Sequence, residues 1–240
     1  MSKPRVSVLW FPGTNCHRET IHAFRRVGAD AELVLLSQLL DGTKKLDDCD
    51  ILGFPGGFSF GDDIAAGRIA ALDLTKRFFD QLVRVVEKKI PVIGICNGFQ
   101  ILVETGLLPG DGEIGQPTAV LDFNLTARFE HWRQVKVVLH EPAGVNCVWT
   151  KGLDGMTIIM PSAHGQGRLV APNGPSSYHV TATYGTIDGD DQYIGEGGSS
   201  PNGSAIAALG TEFIFGAMPH PERAGKDGLA IFEAGVNSVR

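Results

Sequence analysis

The sequence predicts an α/β fold: a doubly wound, mostly parallel sheet flanked by helices, with extra β strands in the second half. Three observations carry this. Runs that are apolar on both faces, at 6–11, 51–54 and 92–95, suit strands covered by helices on both sides. Amphipathic helical patterns separate them, and strand–helix–strand alternation implies right-handed βαβ units. After Gly106 the pattern changes to strand-like segments joined by Gly- and Pro-rich stretches.

Taken in order, a fourth strand is expected at 31–36, ahead of a short polar stretch. Residues 18–27 place Ile21, Phe24 and Val27 on one stripe, and Gly28 is a good C-terminal stop. Leu74, Phe78, Leu82, Val85 and Val86 recur at helical spacing before Lys88 and Lys89, whose charges suit a helix C-terminus. A loop is expected at 108–116. Strands are expected at 134–139, 147–150, 157–160, 178–184, 205–209 and 213–217, with an exposed loop at 185–203 and a closing helix at 229–236. Without repeats or a clear linker, residues 1–240 read as one domain.

Apolar residues make up 43% of the 240 and charged residues 20%, a balance that suits a well-buried globular chain. The net charge of −6, with no block of like charges, argues against nucleic acid or an anionic membrane as partner. The N-terminus lacks the pattern of a signal peptide, and no apolar run approaches the roughly 20 residues that span a bilayer. Cys16, Cys49, Cys96 and Cys147 are scattered without a C-x-x-C pair, so no metal site and no disulfide framework is expected; a reducing cytoplasm fits. The glycosylation-like triplets at Asn124 and Asn202 read as chance or structural.

The sharpest local feature is Val92-Ile93-Gly94-Ile95-Cys96-Asn97-Gly98-Phe99-Gln100. An apolar strand stops at a cysteine and an amphipathic helix starts at once, with glycines at minus two and plus two. That is the pattern of a nucleophile elbow, with Cys for Ser. The sulfur would sit at a helix N-terminus, which favours a thiolate, and the Asn97 N–H would be available to an oxyanion. Taken alone, a strand-end cysteine is more often a small buried hydrophobe; the two glycines and the immediate strand-to-helix switch reverse that preference. Cys16 is the rival, but it lies on a wider loop with no glycine at plus two, and reads as structural or site-lining.

A cysteine nucleophile needs an oriented base. His220 and Glu222, in Met218-Pro219-His220-Pro221-Glu222-Arg223, follow an expected strand; in an extended segment both side chains point to one side, and the carboxylate can fix the imidazole tautomer. The alternative is a rigid turn with a solvated histidine. The segment 54–63, with Gly56 and Gly57 before Phe58, could aim backbone N–H groups at an oxyanion; it lacks the endings of phosphate-binding loops, and a plain tight turn is its structural alternative. His164, in Ser162-Ala163-His164-Gly165-Gln166-Gly167, either lines the mouth of the site or belongs to a structural or partner-facing loop.

These strings, with Pro12 to Cys16 and Pro201 to Ser204, resemble the class I (triad-type) glutamine amidotransferases over nearly the whole chain. Within them the chain is most similar to the glutaminase subunits of the fourth step of purine synthesis. The resemblance implies a flavodoxin-like sheet with Cys96 as nucleophile, His220 as base and Glu222 as its acidic partner. It places oxyanion donors near Gly57 and at Asn97, within a glutamine-binding set of Gly56, Gly57, Phe58, Asn97 and Gln100. It also implies a glutamyl thioester, and ammonia passed to a large ATP-binding synthetase subunit, often bridged by a small third protein. No cofactor is expected in this chain; ATP and magnesium are expected on the synthetase. His17, Gln166, extra length at 111–122 and a shortened stretch after Ser204 depart from the family pattern and bear on docking. The other readings are a glutaminase serving a different synthetase, and a non-catalytic α/β binding protein with a reactive cysteine.

Overall fold

The computed structural model describes residues 2–124, 133–142, 144–171, 178–185 and 206–240. Its order begins β1 (Arg5–Trp10), α1 (His17–Arg26), β2 (Asp30–Leu35), α2 (Leu36–Leu40) and β3 (Ile51–Phe54). Then come α3 (Arg68–Arg77), α4 (Phe79–Glu87), β4 (Val92–Ile95) and α5 (Asn97–Glu104). The second half contributes β5 (Val120–Phe123), β6 (Arg133–Leu139), β7 (Thr157–Ser162), β8 (Gln166–Val170), β9 (Val180–Gly185), β10 (Ile206–Gly210), β11 (Ile214–Ala217) and α6 (Gly225–Asn237).

Among the described residues nine strands form one sheet in the order β2-β1-β3-β4-β11-β10-β9-β6-β7. From β2 to β11 every pairing is parallel; from β11 to β7 every pairing is antiparallel. All residues of β3, β4 and β11 are buried, as parallel strands under helices must be. A separate two-stranded ribbon pairs β5 with β8. Beneath the sheet, Phe24 meets Phe232 edge-on at 4.9 Å and Trp149 at 6.4 Å.

Several expectations change. The stripe from Leu74 to Val86 is two helices, because Phe78 leaves helical geometry at φ −120° and is at once the end of α3 and the start of α4. Residues 147–150 are a turn, not a strand: their apolar character reflects the burial of Cys147 and Trp149, whose indole donates to the Phe213 carbonyl at 3.0 Å. The stretch after β2 forms the short helix α2. Both strands of the ribbon went unpredicted. The rest of the two glycosylation-like triplets beyond Asn124, the string from Pro201 to Ser204 and the expected loop beyond Gly185 lie outside the described residues. Among the described residues no helix is long and apolar enough to cross a membrane.

Candidate active site

The carboxyl ends of β1, β3, β4 and β11 converge on one cavity of about 510 Å³, the position at which open parallel sheets hold ligands. Cys96 stands where β4 becomes α5. Its backbone is left-handed, φ 52° and ψ −108°, a conformation that costs a non-glycine residue roughly 1–3 kcal/mol. The turn is held from both sides: the Cys96 N–H donates to the Ala217 carbonyl at 2.7 Å, and its carbonyl accepts from Gln100 N–H at 3.0 Å. The flanking glycines are required by space. A Cβ on Gly98 would lie 1.9 Å from the Phe54 carbonyl oxygen, and one on Gly94 would lie 2.7 Å from the Gly98 carbonyl oxygen. The Cys96 thiol points toward the Ala163 carbonyl at 3.7 Å.

His220 follows β11, and its N–H is pinned to the Pro161 carbonyl of β7 at 2.8 Å. Its Nδ1 meets Glu222 Oε1 at 2.6 Å, with side chains 2% and 0% exposed. The segment is not extended beyond His220, as the sequence suggested. Pro221, with its fixed φ, starts a 3-10 turn over Pro221–Arg223, and that turn folds the carboxylate back onto the ring. Burial opposes a charge on His220. The Glu222 carboxylate, with hydrogen bonds to Cys16, Cys96 and Glu222, outweighs it and raises the imidazole well above its usual pKa.

The structure thus brings Cys96, His220 and Glu222 together, and it adds Cys16. That residue caps α1, donates its N–H to the Gly56 carbonyl at 3.0 Å and is 2% exposed, so it is held firmly rather than loosely. Its sulfur receives Arg223 Nη2 at 3.4 Å. Gly56 leaves the room for this meeting: a Cβ there would stand 2.9 Å from His220 Cε1, 3.3 Å from Cys16 Sγ and 3.4 Å from Cys96 Cβ.

Of the remaining predicted residues, Gly57, Phe58 and Gln100 line the cavity, and Asn97 stands behind that lining. Gly57, at φ +152°, lines the cavity and bridges to Thr14; the bridge is donated by the N–H groups of Asn15 and Phe58, so the Gly57 N–H takes no part in it. Phe58 is 44% exposed at the rim. The Asn97 side chain accepts from Ser59 N–H and donates to Asp62 and Gln100, each at 3.0 Å. Gln100 also donates to the Gln166 carbonyl at 2.6 Å, so its amide ties α5 to β8. His164 lines the cavity and is buried; burial first, then the charge of His220, lowers its pKa to about 3. Sequence reasoning missed Asp62, whose carboxyl burial raises while bonds from Gly67 and Asn97 lower it. It also missed that Gln166 closes the cavity by accepting from Ala66 N–H at 2.8 Å. Nothing local in the sequence marks either contact, since the partners lie 35 and 100 positions away.

A family model described as a CobB/CobQ-like glutamine amidotransferase domain matches residues 3–230. The phosphoribosylformylglycinamidine synthase subunit PurQ of Dehalococcoides mccartyi is 38% identical, covering 93% of this chain and 86% of the relative. Its counterpart in Pyrococcus furiosus is 36% identical over 98% and 99% of the two chains. Among solved structures, PurLQS from Thermotoga maritima matches over 100% of both chains with a TM-score of 0.76 at 30% identity. A putative GMP synthase subunit from Thermoplasma acidophilum, 18% identical with a TM-score of 0.60 over 100% of this chain and 95% of its own, shares the fold.

Proposed function

This chain belongs to the CobB/CobQ-like glutamine amidotransferase domain family, and from that premise we propose that it is the glutaminase subunit of phosphoribosylformylglycinamidine synthase, in purine biosynthesis. The observation that carries the reading is a cysteine on a strained elbow, hydrogen-bonded to an imidazole that a buried carboxylate orients, all facing one cavity.

The reaction proceeds in two halves. Cys96 sulfur attacks the side-chain amide carbon of glutamine while its proton resides on His220. The oxyanion forms against the N–H groups of Gly57 and Asn97, each such donor contributing roughly 2.7–4 kcal/mol in comparable sites. His220 passes the proton to the leaving nitrogen, the C–N bond breaks, and ammonia departs from a glutamyl thioester. His220 then takes a proton from water as its oxygen attacks the thioester; the C–S bond breaks, glutamate leaves and Cys96 recovers its proton. Glu222 keeps the imidazole in one orientation throughout. Gly56, Phe58 and Gln100 shape the pocket for glutamine. Ammonia passes to the ATP- and magnesium-binding synthetase subunit, with a small third subunit bridging the two.

Cys96→Ala tests this directly. Glutamate release should fall by at least about a thousandfold, while synthesis driven by added ammonia in the reconstituted complex stays within about twofold. Retained glutamine-dependent turnover in that variant would sink the assignment.

A further inference from the structure

We propose that Cys16, His220 and Glu222 form a buried site for a thiophilic divalent cation of the zinc class, and that its occupation switches off the glutaminase. The switching clause rests on the function proposed above; the binding site does not. The Cys16 sulfur, a His220 ring nitrogen and a Glu222 carboxylate oxygen lie within 4.8 Å of one another. Thiolate, imidazole and carboxylate are the three ligand types that zinc takes.

A second observation points to a ligand. Glu222 Oε2 is buried and has no hydrogen-bond partner among the described residues, although its sister oxygen is engaged by His220. A buried carboxylate oxygen left unsatisfied is costly, and a cation is one remedy. Entry is provided, because Cys16 and His220 line the cavity, and Gly56 places no side chain between their sulfur and ring.

Arg223 is the resident competitor. Its Nη2 stands 3.4 Å from Cys16 Sγ and its Nε 3.9 Å from Glu222 Oε1. It is also held by Glu19 at 2.7 Å, outside the cluster, so it can yield the sulfur and keep an anionic partner. That competition suits reversible occupation rather than a permanent structural metal. On binding, the Cys16 thiol proton and the proton shared by His220 and Glu222 leave to solvent, and the metal takes their place. The ring proton lost is the one on Nδ1, which faces Glu222; with that nitrogen on the metal and the carboxylate shared, the ring can no longer become an imidazolium by taking up the Cys96 proton, so proton transfer stops.

The test uses the full chain, reduced and metal-free, titrated with Co²⁺ as a spectroscopic stand-in for Zn²⁺. One equivalent should give a thiolate-to-cobalt charge-transfer band that Zn²⁺ abolishes. Cys16→Ser should remove the band, whereas Cys96→Ser, Cys49→Ser and Cys147→Ser should keep it. Arg223→Gln should tighten binding by about tenfold. Zn²⁺ should block glutamate release, and Cys16→Ser should need about tenfold more of it. Absence of the band in the unsubstituted protein, its survival in Cys16→Ser, or its loss in Cys96→Ser overturns the site. If the band behaves as expected but metal-free protein with its synthetase releases no glutamate, the proposed function falls and the cation site stands.

Discussion

Among the described residues two strand-to-helix junctions carry a buried cysteine, and they are built differently. At the β4–α5 junction the cysteine follows the strand without a spacer and adopts φ 52°. At the β1–α1 junction five residues intervene between Trp10 and Cys16, and the cysteine caps its helix at a relaxed φ of −91°. The first junction has no slack. The strand below and the helix above touch through Gly94 and Gly98, so the backbone fixes where the cysteine stands. The second reaches the same imidazole through side-chain bonds to Asn15 and Arg223. Strain therefore marks the sulfur whose position the fold dictates, and ordinary geometry marks the one that its neighbours hold.

The largest effect should come from testing that lack of slack. Gly98 and Arg18 each stand two residues after their cysteine, but Gly98 is buried and Arg18 is exposed. In Gly98→Ala the new methyl would meet the Phe54 carbonyl oxygen at 1.9 Å, so stability should fall by more than about 3 kcal/mol in urea unfolding. Arg18→Ala should stay within about 0.5 kcal/mol. Comparable losses at both positions would dissolve the distinction.

A smaller effect should separate the two sulfurs functionally. Cys16→Ala should lower glutamate release about tenfold, far less than Cys96→Ala, because it removes a neighbour of the base and not the attacking atom. The Cys16 bond raises the His220 pKa, so its loss should move the alkaline limb of the pH profile to lower pH. An unmoved limb would mean that Cys16 does not act through the imidazole.

The first junction was legible because its causes are local. Val92, Gly94, Cys96 and Gly98 stand within seven consecutive residues, and each states its own reason by size or by backbone freedom. The β3, β4 and β11 runs were legible for the same reason: burial on both faces leaves an unbroken apolar string. The contact of Cys16 with Arg223 was hidden, since 207 positions separate partners that only the sheet order brings together. The β5 strand of the ribbon was hidden because Val120 and Phe123 are exposed, giving no buried alternation to read. Trp149 misled because a buried turn and a buried strand have the same composition.

The smallest effect concerns the two histidines around Cys96, which titrate in opposite senses. His164, on the loop whose Ala163 carbonyl meets the Cys96 sulfur, has a folded pKa depressed from 6.5 to about 3. The unfolded chain therefore binds more protons than the folded one between those values, and stability is lost as pH falls below 6.5. His220 has a raised folded pKa; its contribution is full below 6.5 and is lost as pH rises through the folded value. In His164→Gln the acid-side loss disappears while the alkaline-side loss remains. Between pH 7.5 and 5.5 the substituted protein should lose about 1 kcal/mol less than the unsubstituted one, at one pKa unit per roughly 1.4 kcal/mol. Urea midpoints at the two pH values measure it. Parallel losses in both proteins would mean that His164 is charged inside the fold, and the loop carrying it would then have to open to water beside the Cys96 sulfur.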